Sequence, residues 1–183
     1  MSKSRHGVGR AGLRIINQCR TGYARPLWGL WPVLPMQVFI PYPSPFDSAM
    51  CMKNDTRRFM KQIQETRQIL SAIYDPSRGY ANHSVTKMYK NHTQWLYLYL
   101  KVFELVRDNN IMLARFSSFC ADKCRPEWMT DELCDQHKRR LFTKAPYRYP
   151  QFAELGESLE NWYVVEGELK KYINGKIILQ NKD

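Results

Sequence analysis

The chain has 183 residues with a hydrophobic share of 44% and many aromatic residues, which excludes a disordered chain and allows one domain with its own core. Its formal net charge of +11 favours a polyanionic partner such as nucleic acid. No apolar run reaches the ~20 residues that a membrane-spanning helix needs. The five cysteines, an odd number, are typical of reduced thiols, so we expect a cytoplasmic protein.

The segment 1–35 differs from the rest of the chain because it carries basic residues and no acidic ones. Three interpretations compete: an Arg-rich targeting peptide, a basic arm that contacts nucleic acid, and an upstream start codon ahead of a true first residue at Met36. We favour the last because a coherent domain pattern begins at Met36. The predicted organisation is therefore an arm or mis-assigned start at 1–35, a domain at 36–165 and a C-terminal hairpin or tail at 166–183.

In chain order, Met36–Asp47 contains three prolines and is predicted to be an extended lead-in. A first helix follows at about 55–74, where Asp55 is one of several possible N-caps. A second helix is predicted from the Asn82–Ser84 region to about Asn109, because large apolar residues recur every three or four positions. A shorter helix is expected at Ile111–Phe119.

The loop expected at 121–130 ends at Thr130, which is predicted to cap a helix running to about Lys144. Residues 152–161 are predicted to form a loop, and Trp162–Val165 to form a strand. Asn174-Gly175 between β-prone runs predicts a hairpin. The fold class is therefore mainly α, a compact helical bundle with a small C-terminal β-hairpin.

The first long helix carries a polar row beside its apolar stripe. The row consists of Arg58, Lys61, Gln62, Glu65 and Gln68. Cations and amides suit phosphate and base contacts, and a carboxylate or an amine can take part in proton transfer or covalent chemistry. The same pattern also fits an ordinary solvated helix face with an ion pair between Lys61 and Glu65.

Further polar residues lie outside this helix, and each could contact DNA or serve a structural purpose. They are Asn82, His83, His137, Arg140 and Lys144. Cys120, Cys124, Cys134 and His137 are zinc-type ligands within a short span, but their spacing is not a standard zinc motif. No glycine-rich phosphate loop is present. The sequence therefore predicts neither a metal nor a cofactor.

Several blocks of sequence occur in an order that resembles one protein family. The blocks are Met36–Pro43; Asp55, Arg58, Phe59, Lys61, Gln62, Glu65, Gln68, Ile69 and Leu70; Gly79, Tyr80, Asn82 and His83; Arg125–Glu132; His137, Leu141, Lys144 and Pro146; and Tyr163–Val165. Together they resemble the bacterial and phage group described as pyrimidine dimer DNA glycosylases, or endonuclease V-like proteins. The resemblance spans about residues 36–165.

The resemblance implies a helical fold like that of the phage pyrimidine-dimer glycosylase, a DNA repair enzyme with apurinic lyase activity. It implies attack on the sugar C1′ by an amine, assisted by a helix glutamate, while arginines hold phosphates. Here the implied glutamate is Glu65, and the amine is that of Met36, if translation begins there, or that of Lys61. The expected DNA-binding residues are Arg58, Gln62, Gln68, Asn82, His83, His137, Arg140 and Lys144.

Two functional hypotheses follow. The first is a glycosylase or AP lyase that acts as a monomer on damaged duplex DNA through a Schiff base. The second is a non-catalytic nucleic-acid-binding protein on the same scaffold. The first requires Glu65 and an amine to meet in one place, whereas the second requires only an exposed basic face.

Overall fold

The computed structural model describes residues 37–77, 79–165, 168–173 and 176–178, all within the compact unit Val33–Asp183. The fold of these residues is mainly helical, as the sequence predicts. Its helices are α1 Pro45–Met52, α2 Thr56–Tyr74, α3 Ser84–Tyr89, α4 Thr93–Arg107, α5 Ile111–Asp122 and α6 Asp131–Lys144, followed by a 3-10 helix at Pro150–Leu155.

Two helices begin at the predicted caps. The Asp55 side chain accepts the Arg58 backbone N–H at 3.2 Å, and α2 then runs to Tyr74, close to the predicted 55–74. Thr130 accepts the Leu133 N–H at 3.3 Å at the start of α6. A side-chain oxygen at this position satisfies one of the backbone donors that a helix leaves without an internal partner.

The extended lead-in is shorter than predicted, because α1 begins at Pro45. Ser44 caps this helix by accepting the Asp47 N–H at 3.3 Å. Proline is compatible with the first helical position, where its missing N–H costs no hydrogen bond. The prediction that the three prolines exclude a helix up to Asp47 was therefore wrong at Pro45, which is the first residue of α1.

The single helix predicted from about residue 84 to 109 is wrong, because α3 ends at Tyr89 and α4 begins at Thr93. The turn between them is fixed by the His92 N–H, which donates to the Tyr89 carbonyl at 2.9 Å. Trp128 packs edge-on against both Tyr89 and His92, with ring centroids 5.4 and 5.8 Å apart. A contact with a residue so distant in sequence leaves no trace in local periodicity.

The core is centred on α4, which packs against α1, α2 and α5. Trp95, Tyr99 and Phe103 follow one another on this helix and are fully buried. Their ring centroids are 5.2 and 4.6 Å apart, and Phe59 of α2 lies 5.0 Å from Phe103. The strongly apolar second helix that the sequence predicts is therefore at the centre of the core, but only over the residues of α4.

The C-terminal strands are β1 Asn161–Val165, β2 Glu168–Ile173 and β3 Lys176–Ile178, paired antiparallel in that order. Asn161 pairs with Tyr172, and β1 packs against α3. The predicted turn at Asn174-Gly175 lies outside the described residues. Two boundaries of the loops also differ from prediction, since α5 continues to Asp122 and the 3-10 helix occupies part of the expected loop at 152–161.

Candidate active site

The segment 37–40 is buried in the domain and is held through its backbone. The Phe39 N–H donates to Gln62 Oε1 at 2.8 Å, and the Tyr99 hydroxyl donates to the Phe39 carbonyl at 2.7 Å. Tyr99 also donates to Gln62 Oε1 at 3.3 Å. Gln62 is only 1% exposed, so this amide, expected at a DNA-binding surface, lies inside the domain and fixes the segment.

His137 holds the same segment from α6. Its Nδ1 accepts the Ile40 N–H at 2.8 Å, and the residue is 2% exposed. Burial lowers the pKa of His137 to about 3, and the nearby charge of Arg140 acts in the same direction. The ring is therefore neutral at physiological pH, and like Gln62 it is used inside the domain rather than at its surface.

Glu65 lies on α2 next to the first described residue. Its carboxylate faces the backbone N–H of Gln37, and the residue is 7% exposed. Lys61, one turn earlier, approaches it at 3.4 Å while its own side chain is 55% exposed. Burial raises the pKa of Glu65, and Lys61, the Gln37 N–H and Lys144 oppose that shift without cancelling it. A buried carboxylate with a raised pKa is suited to proton transfer.

Lys144, the last residue of α6, is brought to this carboxylate from a distant part of the chain. Its Nζ lies 5.7 Å from the centre of the Phe39 ring. Loss of water around the amine lowers the pKa of Lys144 to about 8, and the repulsion of neighbouring cations adds to this, whereas Glu65 opposes it. The neighbouring cations are Arg140, Lys61 and Arg58.

Arg58 connects the start of α2 to the end of α6. Its Nη1 donates to Asp55 Oδ2 at 2.6 Å, and its Nη2 donates to the Lys144 carbonyl at 3.0 Å. Tyr149 donates its hydroxyl to the same Asp55 oxygen at 3.1 Å. Burial alone would raise the pKa of Asp55, but the bonds and charge of Arg58, with the Tyr149 bond, lower it overall.

We call these residues the Glu65 cluster: Arg58, Lys61, Glu65, Arg140 and Lys144. Arg140 is 9% exposed and donates to the Ser158 carbonyl at 3.3 Å. The cluster unites three residues of the predicted polar row with two from the end of α6. It places Lys61 and Lys144 near the buried Glu65 carboxylate and Arg58 and Arg140 near Lys144, which suits an anionic substrate that undergoes proton transfer.

The remaining predicted site residues lie elsewhere or outside the described part. Gln68 is half-buried on α2, and Asn82 is exposed before α3. His83 caps α3, accepting the Val85 N–H at its Nδ1 at 3.2 Å, and burial lowers its pKa. Met36, the predicted source of a catalytic α-amine, is outside the described residues.

The cysteines and His137 do not assemble a metal site in the part of the chain that is described. No group of three or more His, Cys, Asp or Glu side chains there is placed to hold a metal ion. Cys134 is buried, and burial raises the pKa of its thiol to about 11. The Nδ1 of His137 is already occupied by the Ile40 N–H.

Sequence reasoning missed three residues that shape the site. Tyr99 was part of an apolar stripe, although a buried tyrosine hydroxyl needs a hydrogen-bond partner and so pointed to a polar neighbour. Gln37 faces Glu65 with its backbone N–H, and a backbone group leaves no signal in residue type. Tyr149 lies 94 positions from Asp55 in the sequence, and no local pattern indicates that its hydroxyl donates to this carboxylate.

Comparison with known proteins supports one family. The family model described as pyrimidine dimer DNA glycosylase matches residues 36–104. Residues 36–104 are therefore similar to this family. The match includes Arg58, Lys61 and Glu65 and confirms the resemblance seen in the sequence over that range, while the α6 residues of the cluster lie beyond it. No curated protein and no solved structure gives a significant match.

The family indicates a DNA glycosylase-type repair function with DNA as the partner. The basic side chains of the Glu65 cluster agree with an anionic partner. None of the described helices is long and apolar enough to cross a membrane.

Proposed function

We propose that this chain is a DNA glycosylase with AP lyase activity on damaged duplex DNA. An amine attacks the sugar C1′ and forms a Schiff base, and Glu65 assists as the proton-transfer group. The protein acts as a monomer in the cytoplasm of a bacterial or phage-infected cell. The observation that carries the proposal is the buried Glu65 carboxylate, which faces the Gln37 backbone and lies 3.4 Å from the Lys61 amine.

The position of Glu65 supports the proposal because of what precedes Gln37 in the chain. The family resemblance implies an amine at the mature N-terminus together with a helix glutamate. Glu65 contacts the backbone of the residue directly after Met36, so a chain that begins at Met36 would have its α-amine one residue from the carboxylate. Lys61 is the alternative amine, since its Nζ lies 3.4 Å from Glu65.

The surroundings of Glu65 suit the proposed chemistry. A carboxylate with a raised pKa can accept a proton from the sugar C2′ and return it to a leaving group. Arg58, Arg140 and Lys144 supply positive charge for the phosphates on either side of the lesion. Gln68 and Asn82, together with His83, are proposed to extend this contact along the duplex. The damaged nucleotide or its partner has to leave the base stack to reach C1′.

The experiment is borohydride trapping with a duplex that contains one abasic site. Proteins starting at Met36 and at Met1 are each incubated with the duplex and borohydride, which reduces an imine to a stable covalent adduct. An adduct with either protein is the expected result. Salt-dependent DNA binding by both proteins with no adduct from either would instead support a non-catalytic DNA-binding protein.

A further inference from the structure

We propose that Lys144 is the amine that forms the Schiff base when the full 183-residue chain acts on an abasic site. The inference rests on the proposed lyase function and names its nucleophile. Three features of the structure carry it: the support under the Lys144 side chain, the charges around its amine, and the contrast with Lys61.

Lys144 is held both at its backbone and at its amine. Its backbone carbonyl accepts a hydrogen bond from Arg58, which itself donates to Asp55 at 2.6 Å. Its amine lies over the Phe39 ring, and the backbone of Phe39 is fixed by Gln62 on its N–H side. An amine held in this way loses little conformational freedom when it attacks a bound sugar.

The charges around Lys144 favour the neutral, nucleophilic form of the amine. Arg58 and Lys61 reach it from α2 and Arg140 from α6, whereas Glu65 is the opposing negative charge. With a pKa of about 8, roughly a tenth of the amine is unprotonated at pH 7. A lysine beside other cations is a recognised form of activated nucleophile.

Lys61 is differently placed although it lies in the same cluster. Its ammonium is engaged in the ion pair with Glu65, and more than half of its side chain is exposed to water. Among the described contacts, the Lys144 amine makes no hydrogen bond to Glu65, so this amine is available to attack a sugar. The two lysines therefore have different roles: Lys61 is the ion-pair partner of Glu65, and Lys144 is the nucleophile.

The reaction balances with these groups alone. Lys144 Nζ attacks C1′ of the ring-opened sugar, and a C–N bond forms. The aldehyde oxygen takes up one proton from the amine and a second from protonated Glu65 or from solvent. It then leaves as water. Glu65 then removes a C2′ proton from the iminium. The C–H electrons form the C2′–C3′ double bond, and the C3′–O bond breaks to release the phosphate. Hydrolysis of the imine returns the free amine.

The test uses the full chain with abasic-site duplex and borohydride, followed by proteolysis and mass spectrometry of the cross-linked peptide. The expected adduct lies on the peptide that contains Lys144. In Lys144→Arg we expect at least a tenfold loss of trapping with DNA affinity retained, because the guanidinium keeps the charge but is not nucleophilic. Lys101→Arg, at an exposed position of α4, is the matched control and should trap like the wild type.

The pH profile gives a second readout that does not depend on a variant. The trapping rate should rise with pH, reach half of its maximum near pH 8 and level off about one unit above it. An adduct on Lys61, on another lysine or on an α-amine overturns the inference and leaves the proposed lyase function standing. Absence of any adduct, from this chain and from the protein that starts at Met36, overturns both.

Discussion

Two neighbouring regions of this domain treat buried polar groups in opposite ways. Around the segment 37–40, the partners are neutral: an amide, a hydroxyl and an uncharged imidazole, supplied by Gln62, Tyr99 and His137. The Glu65 cluster combines one buried carboxylate with four basic side chains, of which Lys61 and Lys144 are near the carboxylate. The first region satisfies hydrogen bonds without charge, whereas the second concentrates charge that has no equal counter-charge within it.

The difference separates a structural network from a functional one. Neutral hydrogen bonds in the interior fix a conformation at low electrostatic cost. Like charges held together destabilise a folded domain, and such arrangements with shifted pKa values are concentrated at functional sites. Changes in the first region should therefore reduce stability, and changes in the second should reduce activity.

The largest effect is expected from Glu65→Gln. The amide has nearly the same shape as the carboxylate, but it cannot accept a proton, so we expect turnover on abasic-site DNA to fall about 100-fold or more with DNA affinity retained. Strand cleavage and binding titrations measure the two quantities. Glu127→Gln removes the same charge from an exposed loop and should leave turnover within about twofold. Equal turnover by the two variants would remove Glu65 from the mechanism.

Gln62→Ala tests the neutral region. It leaves the Phe39 N–H without its acceptor and opens a cavity at a position that is 1% exposed. We expect the free energy of unfolding to fall by about 2–4 kcal/mol. Gln64→Ala, an exposed position on the same helix, should change it by less than about 0.5 kcal/mol in urea denaturation. Similar losses in both variants would contradict the assigned hydrogen bond.

A smaller effect concerns the pH dependence of stability. The pKa of His137 is about 3 in the folded chain and about 6.5 when unfolded, so the unfolded state binds one more proton between these values. Stability should therefore fall as pH drops below about 6.5, by up to about 1.4 kcal/mol per unit from this residue. His137→Asn keeps an acceptor for the Ile40 N–H without titrating. Urea denaturation between pH 7 and 4 should show a shallower decline for this variant, and equal slopes would exclude His137 as the cause.

The parts of the fold that local pattern could predict are those with strong local signals. Helix α2 has a capping aspartate and an uninterrupted amphipathic period, so its bounds agreed with prediction. The break before α4 depends on Trp128, which is remote in sequence, and it was missed. The start of α1 carried a signal in Ser44-Pro45, a cap followed by a proline at the first helical position, that was outweighed by the preceding prolines.

The site was predictable to a similar extent. Arg58, Lys61 and Glu65 share a helix face, so their proximity follows from spacing alone. Gln62 was predicted on the polar row, although it lies three residues after Phe59 and four before Thr66, which are both buried. Lys144 comes close to Glu65 only because α6 packs back on the 37–40 segment, and no helical period contains that information.

The way in which segment 37–40 is held also sets what kinds of sequence change the domain tolerates. Gln62, Tyr99 and His137 recognise main-chain atoms of Phe39 and Ile40, and every residue type except proline offers the same N–H and carbonyl groups. A side-chain replacement there alters packing but not the hydrogen-bonding pattern. Removing or inserting one residue shifts the backbone by about 3 Å and turns alternate groups to the opposite side. Three helices would then lose their common anchor together, so the length of this segment is constrained more tightly than its composition.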